Sequence, residues 1–128
     1  MAITVAIIEP QPELRREFAQ IVATDPECDC IGAGASWQVE LGRIHPRVPD
    51  VVVLGLSLPD RQRLREISRL KQLLPKTKIL ISSVCEDNEH ISHALRAGAS
   101  GYLVQRTAPR ELLRAVRNLS FTSSCPSP

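Results

Sequence analysis

The stretch that most restricts what this chain can fold into is Pro49-Asp50-Val51-Val52-Val53-Leu54-Gly55-Leu56-Ser57-Leu58-Pro59, an aliphatic run closed at both ends by proline. A short apolar segment without polar alternation suits a strand covered on both faces, as at the centre of a parallel sheet flanked by helices. Gly55 falls where that strand is expected to run out. Ligands and chemistry gather beyond the carboxyl ends of such strands, so the residue type there carries weight. A glycine offers no side chain, which reads either as a site without its reactive group or as a turn-easing residue.

The rest of the chain alternates strand and helix signals around that segment. Ile3 to Ile8 is apolar, Glu9-Pro10-Gln11-Pro12 breaks it, and Leu14, Phe18, Ile21 and Val22 then recur at helical spacing. Cys28 to Ala35 predicts a second, glycine-weakened strand. Ser36 suits the cap of a short helix striped by Trp37, Leu41 and Ile44 and ended by Pro46. After the central strand, Asp60 suits the cap of a helix with an inward stripe of Leu64, Ile67, Leu70 and Leu74. Arg61, Arg65 and Arg69 fall on another of its faces. Lys78 to Ser82 is a fourth strand. Glu86-Asp87 opens a helix with Ile91, Ala94 and Leu95, and Gly98 closes it. Gly101 to Val104 is the fifth strand, followed by a helix begun at Thr107 and Pro109 with Leu112, Leu113, Val116 and Leu119 on its apolar face. Residues 1–119 are expected to form one domain and 120–128 a flexible tail or the start of a linker.

Five strand-helix units with short connections require right-handed crossovers, which place helices on both faces of one parallel sheet. The expected fold class is α/β: a flavodoxin-like (βα)5 three-layer sandwich with strand order 2-1-3-4-5. Many unrelated activities use that fold, so function must come from the site.

Composition narrows the classes of function. The formal charge of +2, from 16 basic and 14 acidic residues, is too near balance to imply a nucleic-acid or membrane partner, although thirteen of the basic residues are arginine. Aromatics make up 3% of the chain, too few for a base-stacking platform. No secretory or membrane-spanning pattern is present, and a cytoplasmic location is expected. Cys28, Cys30, Cys85 and Cys125 lack paired metal-ligand spacing and are expected to be structural thiols.

Four stretches carry a family resemblance: Ile3-Thr4-Val5-Ala6-Ile7-Ile8, Pro49 to Leu54, Leu56-Ser57-Leu58-Pro59, and most specifically Ala94-Leu95-Arg96-Ala97-Gly98-Ala99-Ser100-Gly101-Tyr102-Leu103. Over almost its whole length the chain resembles the CheY-like receiver domain of bacterial two-component response regulators. The closest branch is the LuxR/NarL type, which ends in a helix-turn-helix. The resemblance implies phosphoryl transfer to an aspartate at the third strand, with Mg²⁺ held by that aspartate and an acidic pair after the first strand. A hydroxyl after the fourth strand and a lysine after the fifth would bind the phosphoryl oxygens. By position these places are Gly55, Glu9-Pro10, Ser83 and Gln105, and only Glu9 and Ser83 keep the chemistry.

The departures have physical consequences. Gly55 offers no nucleophile for an acyl phosphate. Glu9 alone is a poor donor set for Mg²⁺, which takes near-octahedral oxygen coordination, so Mg²⁺ binding is expected to be weak or absent and no other cofactor is implied. Gln105 donates hydrogen bonds without positive charge. Glu9 is expected to be a solvated carboxylate or one satisfied by Gln105 or a backbone amide. Ser83 and Tyr102 occupy the family's switch, here expected in one state. No catalytic residue is expected and the chain is not read as an enzyme.

The first functional expectation is a pseudo-receiver: a phosphorylation-independent protein interaction module, with protein partners that include a second copy of itself. Arg110, Arg114 and Arg117 would form an exposed basic line on the last helix, and a solvated face is the simpler account of them. The second is the regulatory domain of a LuxR-type DNA-binding transcription regulator whose output domain lies outside this chain, so that this domain itself makes no nucleic-acid contact. The third is a small-ligand or redox sensor that uses the space beside Gly55 or the Cys85 thiol.

Overall fold

The computed structural model describes residues 2–37, 48–56 and 61–121, with the Phe121 side chain apart. Along them run β1 (Ile3–Ile8), α1 (Pro12–Ala23), β2 (Cys28–Gly34), β3 (Val51–Leu56), α2 (Arg61–Leu73), β4 (Lys78–Ser83), α3 (Asn88–Ala97), β5 (Gly101–Val104) and α4 (Ala108–Phe121). All neighbouring strands pair in parallel in the order β2-β1-β3-β4-β5, the expected flavodoxin-like arrangement. Most of the short helix expected over Trp37, Leu41 and Ile44 lies outside the described residues, as does the cap expected at Asp60.

Strand alternation sorts the side chains into two cores. Ile3, Val5 and Ile7, Val51 and Val53, Leu80 and Leu103 point to one face and meet Phe18 and Val22 of α1 and Leu112 and Val116 of α4. Ala6 and Ile8, Val52, Leu54 and Leu56, Ile79 and Ile81 point to the other and meet Ile67 and Leu70 of α2 and Ala94 of α3. All six residues of β3 are buried, which is why its sequence shows no polar alternation.

The register of the central strands is pinned at their amino ends. The backbone N–H of Thr4 donates to the Asp50 carboxylate at 2.9 Å, and the backbone N–H of Asp50 donates back to the Thr4 hydroxyl at 2.9 Å. Local chemistry sets the ends of α3. The Asp87 carboxylate accepts from the Glu89 N–H at 3.0 Å, and Gly98 takes φ 127°, a conformation that a side chain would strain.

Several boundaries differ from expectation, among them β4, which runs one residue further than expected, to Ser83. β3 continues through Leu56, which pairs with Ser83, so Gly55 stands inside the ladder opposite Ser82 rather than at its end. β2 stops at Gly34, one residue early, and its register shifts against β1 between Val5 and Ala6, leaving Ile31 to pack on the α2/α3 core. The last helix reaches Phe121, past the tail expected from residue 120, because Leu119 still packs on the α1/α4 core.

Candidate functional site

The carboxyl edge of the sheet assembles two groups of residues, separated by strand alternation. Gly55 pairs with Ser82, and Glu9 lies one residue beyond the Ile8–Leu54 pairing, so Glu9, Gly55 and Ser82 form a row across β1, β3 and β4 on the α1/α4 face. Ser83 and Tyr102 belong to the opposite, α2/α3 face, where Tyr102 packs against the core.

In the first group a carboxylate occupies the space that a side chain at position 55 would need. A Cβ built on Gly55 would overlap Glu9 Oε1, with Glu9 Cδ 2.6 Å and Oε2 3.2 Å away. The space beside Gly55 is therefore filled by Glu9. Of the states expected for this carboxylate, the structure shows the one bonded to a backbone amide. Glu9 is 4% exposed, and its Oε2 accepts from the Gln11 N–H at 2.9 Å. Arg15 Nη1 donates to the Glu9 carbonyl at 2.9 Å, tying α1 to the end of β1. Burial raises the Glu9 carboxyl above the ordinary carboxylate range, and the Gln11 amide and the Arg15 charge offset part of that rise.

The donor set here does not fit Mg²⁺. Pro10 and Gly55 bring no oxygen ligand from a side chain, and the single carboxylate already spends one oxygen on Gln11. Among the described residues no cluster of three or more His, Cys, Asp or Glu is arranged to hold a metal ion.

The second group is a hydrogen-bonded unit. The Ser83 hydroxyl, fully buried, accepts from the Cys85 N–H at 3.2 Å, and the Tyr102 hydroxyl donates to the Cys85 carbonyl at 2.8 Å. Both bonds fasten side chains of β4 and β5 to the loop that leads into α3. Burial raises the Tyr102 phenol above its ordinary value, while the neighbouring Ser83 hydroxyl works against that rise. The Gln105 N–H donates to the Ser83 carbonyl at 2.6 Å, and Gln105 borders a cleft with Val84, Glu86, Val104 and Arg106.

Pro10 is exposed and, with Gly55, Leu56, Trp37, Arg63 and Glu66, lines a cleft of about 330 Å³ between the sheet and α2. The indole N–H of Trp37 and the hydroxyl of Ser82 are buried without hydrogen-bond partners among the described residues. Ser82 was not singled out by sequence reasoning, which followed the neighbouring Ser83. The alternation of β4 was the available signal, since it turns Ser82 to the Glu9 side. Cys28 and Cys30 are part-buried against the α1/α4 core as free thiols, and burial raises the Cys28 thiol pKa.

The basic line expected on the last helix is broken at its far end. Arg110 and Arg114 are exposed. Arg117 instead clamps the turn before β2: Nε and Nη2 reach Asp25 Oδ2 at 2.8 and 2.6 Å, and Nη1 reaches Glu27 Oε1 at 2.8 Å. Asp25 is 5% exposed, and the Glu27 amide and Arg117 hold its carboxyl below the usual range. A buried carboxylate needs such partners, so this arginine serves the fold.

Residues 5–117 match the response regulator receiver domain. The chain belongs to that family. It is 31% identical over 117 residues to the DNA-binding transcriptional activator DevR/DosR of Mycobacterium tuberculosis, covering 91% of this chain and 54% of that protein. To the nitrate/nitrite response regulator protein NarL of Escherichia coli it is 26% identical over 113 residues, covering 88% of this chain and 52% of that protein. This receiver thus spans about half the length of the curated relatives it matches. A LuxR-family two-component response regulator from Aurantimonas superposes with TM-score 0.80 at 23% identity, covering 94% of this chain and 86% of the other. A response regulator from Thermotoga maritima gives TM-score 0.81 at 19% identity, over 94% and 99%. The receiver is of the two-component, LuxR/NarL-like type, and no helix among its described residues is long and apolar enough to cross a membrane.

Proposed function

We propose that this receiver is a phosphorylation-independent protein interaction module of two-component-type signalling. The observation that carries the reading is the Glu9 carboxylate standing in the space beside Gly55. In the family pattern that space belongs to the side chain that takes the phosphoryl group. Here the Glu9 carboxyl group fills it, and the chain supplies neither an acyl-forming carboxylate at position 55 nor a lysine at position 105. The module's signalling state is then set by packing and by its partners, since a ligand shifts a conformational equilibrium only by differential affinity. The partner surface, including any face used for self-association, is read as protein-binding.

The curated relatives are about twice as long and carry names of transcriptional regulators, which supports a second reading at the level of the whole protein: the regulatory half of a DNA-binding regulator. The two readings are compatible, because an output domain can respond to a partner bound at the receiver.

Incubation with a small phosphodonor and Mg²⁺, followed by intact-mass measurement, tests the first reading. The mass is expected to stay unchanged. A stoichiometric, hydroxylamine-labile phosphoadduct would overturn the phosphorylation-independent role.

A further inference from the structure

The positive charge of this chain is concentrated on one helix. α2 carries four arginines and a lysine against a single glutamate, whereas the whole sequence has a formal charge of only +2. Glu66 is already engaged, accepting two bonds from Arg63 at 2.8 and 2.9 Å. Arg61, Arg65 and Arg69 recur at every fourth position, so they form one ridge along the helix, and Leu73 continues it. All four are exposed, and the three arginines have no ion-pair partner among the described residues. Arg106 and Arg117, by contrast, are spent on intramolecular carboxylates.

A groove runs at the foot of this ridge. It has a volume of about 560 Å³, and Leu64, Ser68 and Gln72 form its other row, with Ala97 of α3 at its end. Its wall is held by Ser68, whose hydroxyl donates to the Ala97 carbonyl at 3.0 Å. Leu73, 53% exposed, adds an apolar edge beside the charged row. Uncommitted cations at a helical repeat beside an apolar groove are complementary to carboxylates at the same repeat beside apolar side chains. Successive arginines are about 6 Å apart along the axis, the rise of four residues, so a partner helix presenting acids every fourth residue meets all three in register.

We infer that the α2 ridge and groove form a docking surface for an acidic amphipathic helix of a partner protein. The leucines seat its apolar side, and Arg61, Arg65 and Arg69 set its register and speed its approach. A nucleic-acid backbone would satisfy the arginines but would leave Leu64 and Leu73 without apolar cover, and no exposed aromatic stands in the row to stack a base. The surface does not depend on how the Gly55 site is read, because the ridge and groove share no residue with the cleft beside Gly55.

The test uses the full chain and a synthetic peptide helix with glutamate at every fourth position and leucine on the adjoining stripe, labelled for fluorescence anisotropy. Saturable binding that weakens as salt rises is expected. Arg61→Gln, Arg65→Gln and Arg69→Gln together should weaken it by at least about tenfold, the scale for three exposed ion pairs acting together. Leu73→Ser should weaken it by about threefold or more, and Arg110→Gln with Arg114→Gln should leave it unchanged. All these side chains are exposed, so unchanged thermal melts are expected. Absence of saturable binding overturns the inference, and so does equal loss in the Arg110/Arg114 variant, which would mark mere charge attraction. Tighter binding of a duplex DNA than of the peptide, insensitive to Leu73→Ser, would identify a nucleic-acid surface and overturn it as well.

Discussion

The two groups at the carboxyl edge of the sheet differ in what they keep. Around the end of β1, Gly55 and Pro10 stand where the family pattern has carboxylates, and Glu9 lies over the glycine and takes the Gln11 amide. On the α2/α3 face, Ser83 and Tyr102 are retained and bonded to the backbone around Cys85. In the family pattern the first group carries covalent chemistry, which depends on particular charged atoms. The other carries packing and neutral hydrogen bonds, which hold a loop in place whatever happens at position 55. The difference teaches that the hydrogen-bonded group around Ser83 and Tyr102 is held by its own loop, whichever residue stands at position 55.

The sharpest way to break this comparison is to restore the reactive half. Gly55→Asp by itself should allow little phosphorylation, because the new side chain must first displace Glu9 and finds neither a second acid nor a cation beside it. Adding Pro10→Asp and Gln105→Lys should raise labelling from a small phosphodonor severalfold, read by intact mass. Equal labelling of the single and triple variants would show that the metal ligands and the lysine are dispensable.

The retained half should respond in stability rather than chemistry. Tyr102→Ala removes a partly buried ring and its bond to the Cys85 carbonyl, and should cost about 2 kcal/mol in urea unfolding. Tyr102→Phe keeps the ring and should cost about 1 kcal/mol. If the two variants were equally unstable, the hydroxyl rather than the ring would anchor the loop.

Glu9 makes a pH prediction with a definite sign. Its carboxyl titrates above its unfolded value because burial disfavours the ion. Such a group contributes stability fully below the unfolded carboxylate value of about 4.3, and loses that contribution as pH rises through its own raised value. Unfolding midpoints of Glu9→Gln should therefore be flatter than those of the unmodified chain across that window. A matching slope in both proteins would mean that Glu9 is solvated in solution. The smallest effect is expected from Ser83→Ala, which gives up one long bond to the Cys85 amide and should change stability or self-association by less than about 1 kcal/mol.

Much of this receiver was legible before any coordinates. The unbroken apolar run of β3 reported burial on two faces, and Gly98 after the helix carrying Ala94 reported a left-handed cap, because both signals are local. The places of Glu9, Gly55, Ser83 and Gln105 came from the family resemblance, and the register puts Gly55 inside the ladder, one residue before the end of β3. The spacing of Arg110, Arg114 and Arg117 was also read correctly as one helix face. Its use was not legible, because Asp25 and Glu27 lie about ninety residues away in the chain and only the packing of α4 beside α1 brings them to Arg117.

The sequence by itself determined the order of the elements, the two apolar faces of the sheet and the residue types at positions 55 and 105, glycine and glutamine. These follow from periodicity and residue type, which act within a few neighbours. Only the tertiary structure decided what fills the space beside Gly55. Glu9 lies over Gly55 because two strands distant in sequence run level and a glycine leaves one side-chain volume open between them. The nearest carboxylate enters that volume because the Gln11 amide can bond it there.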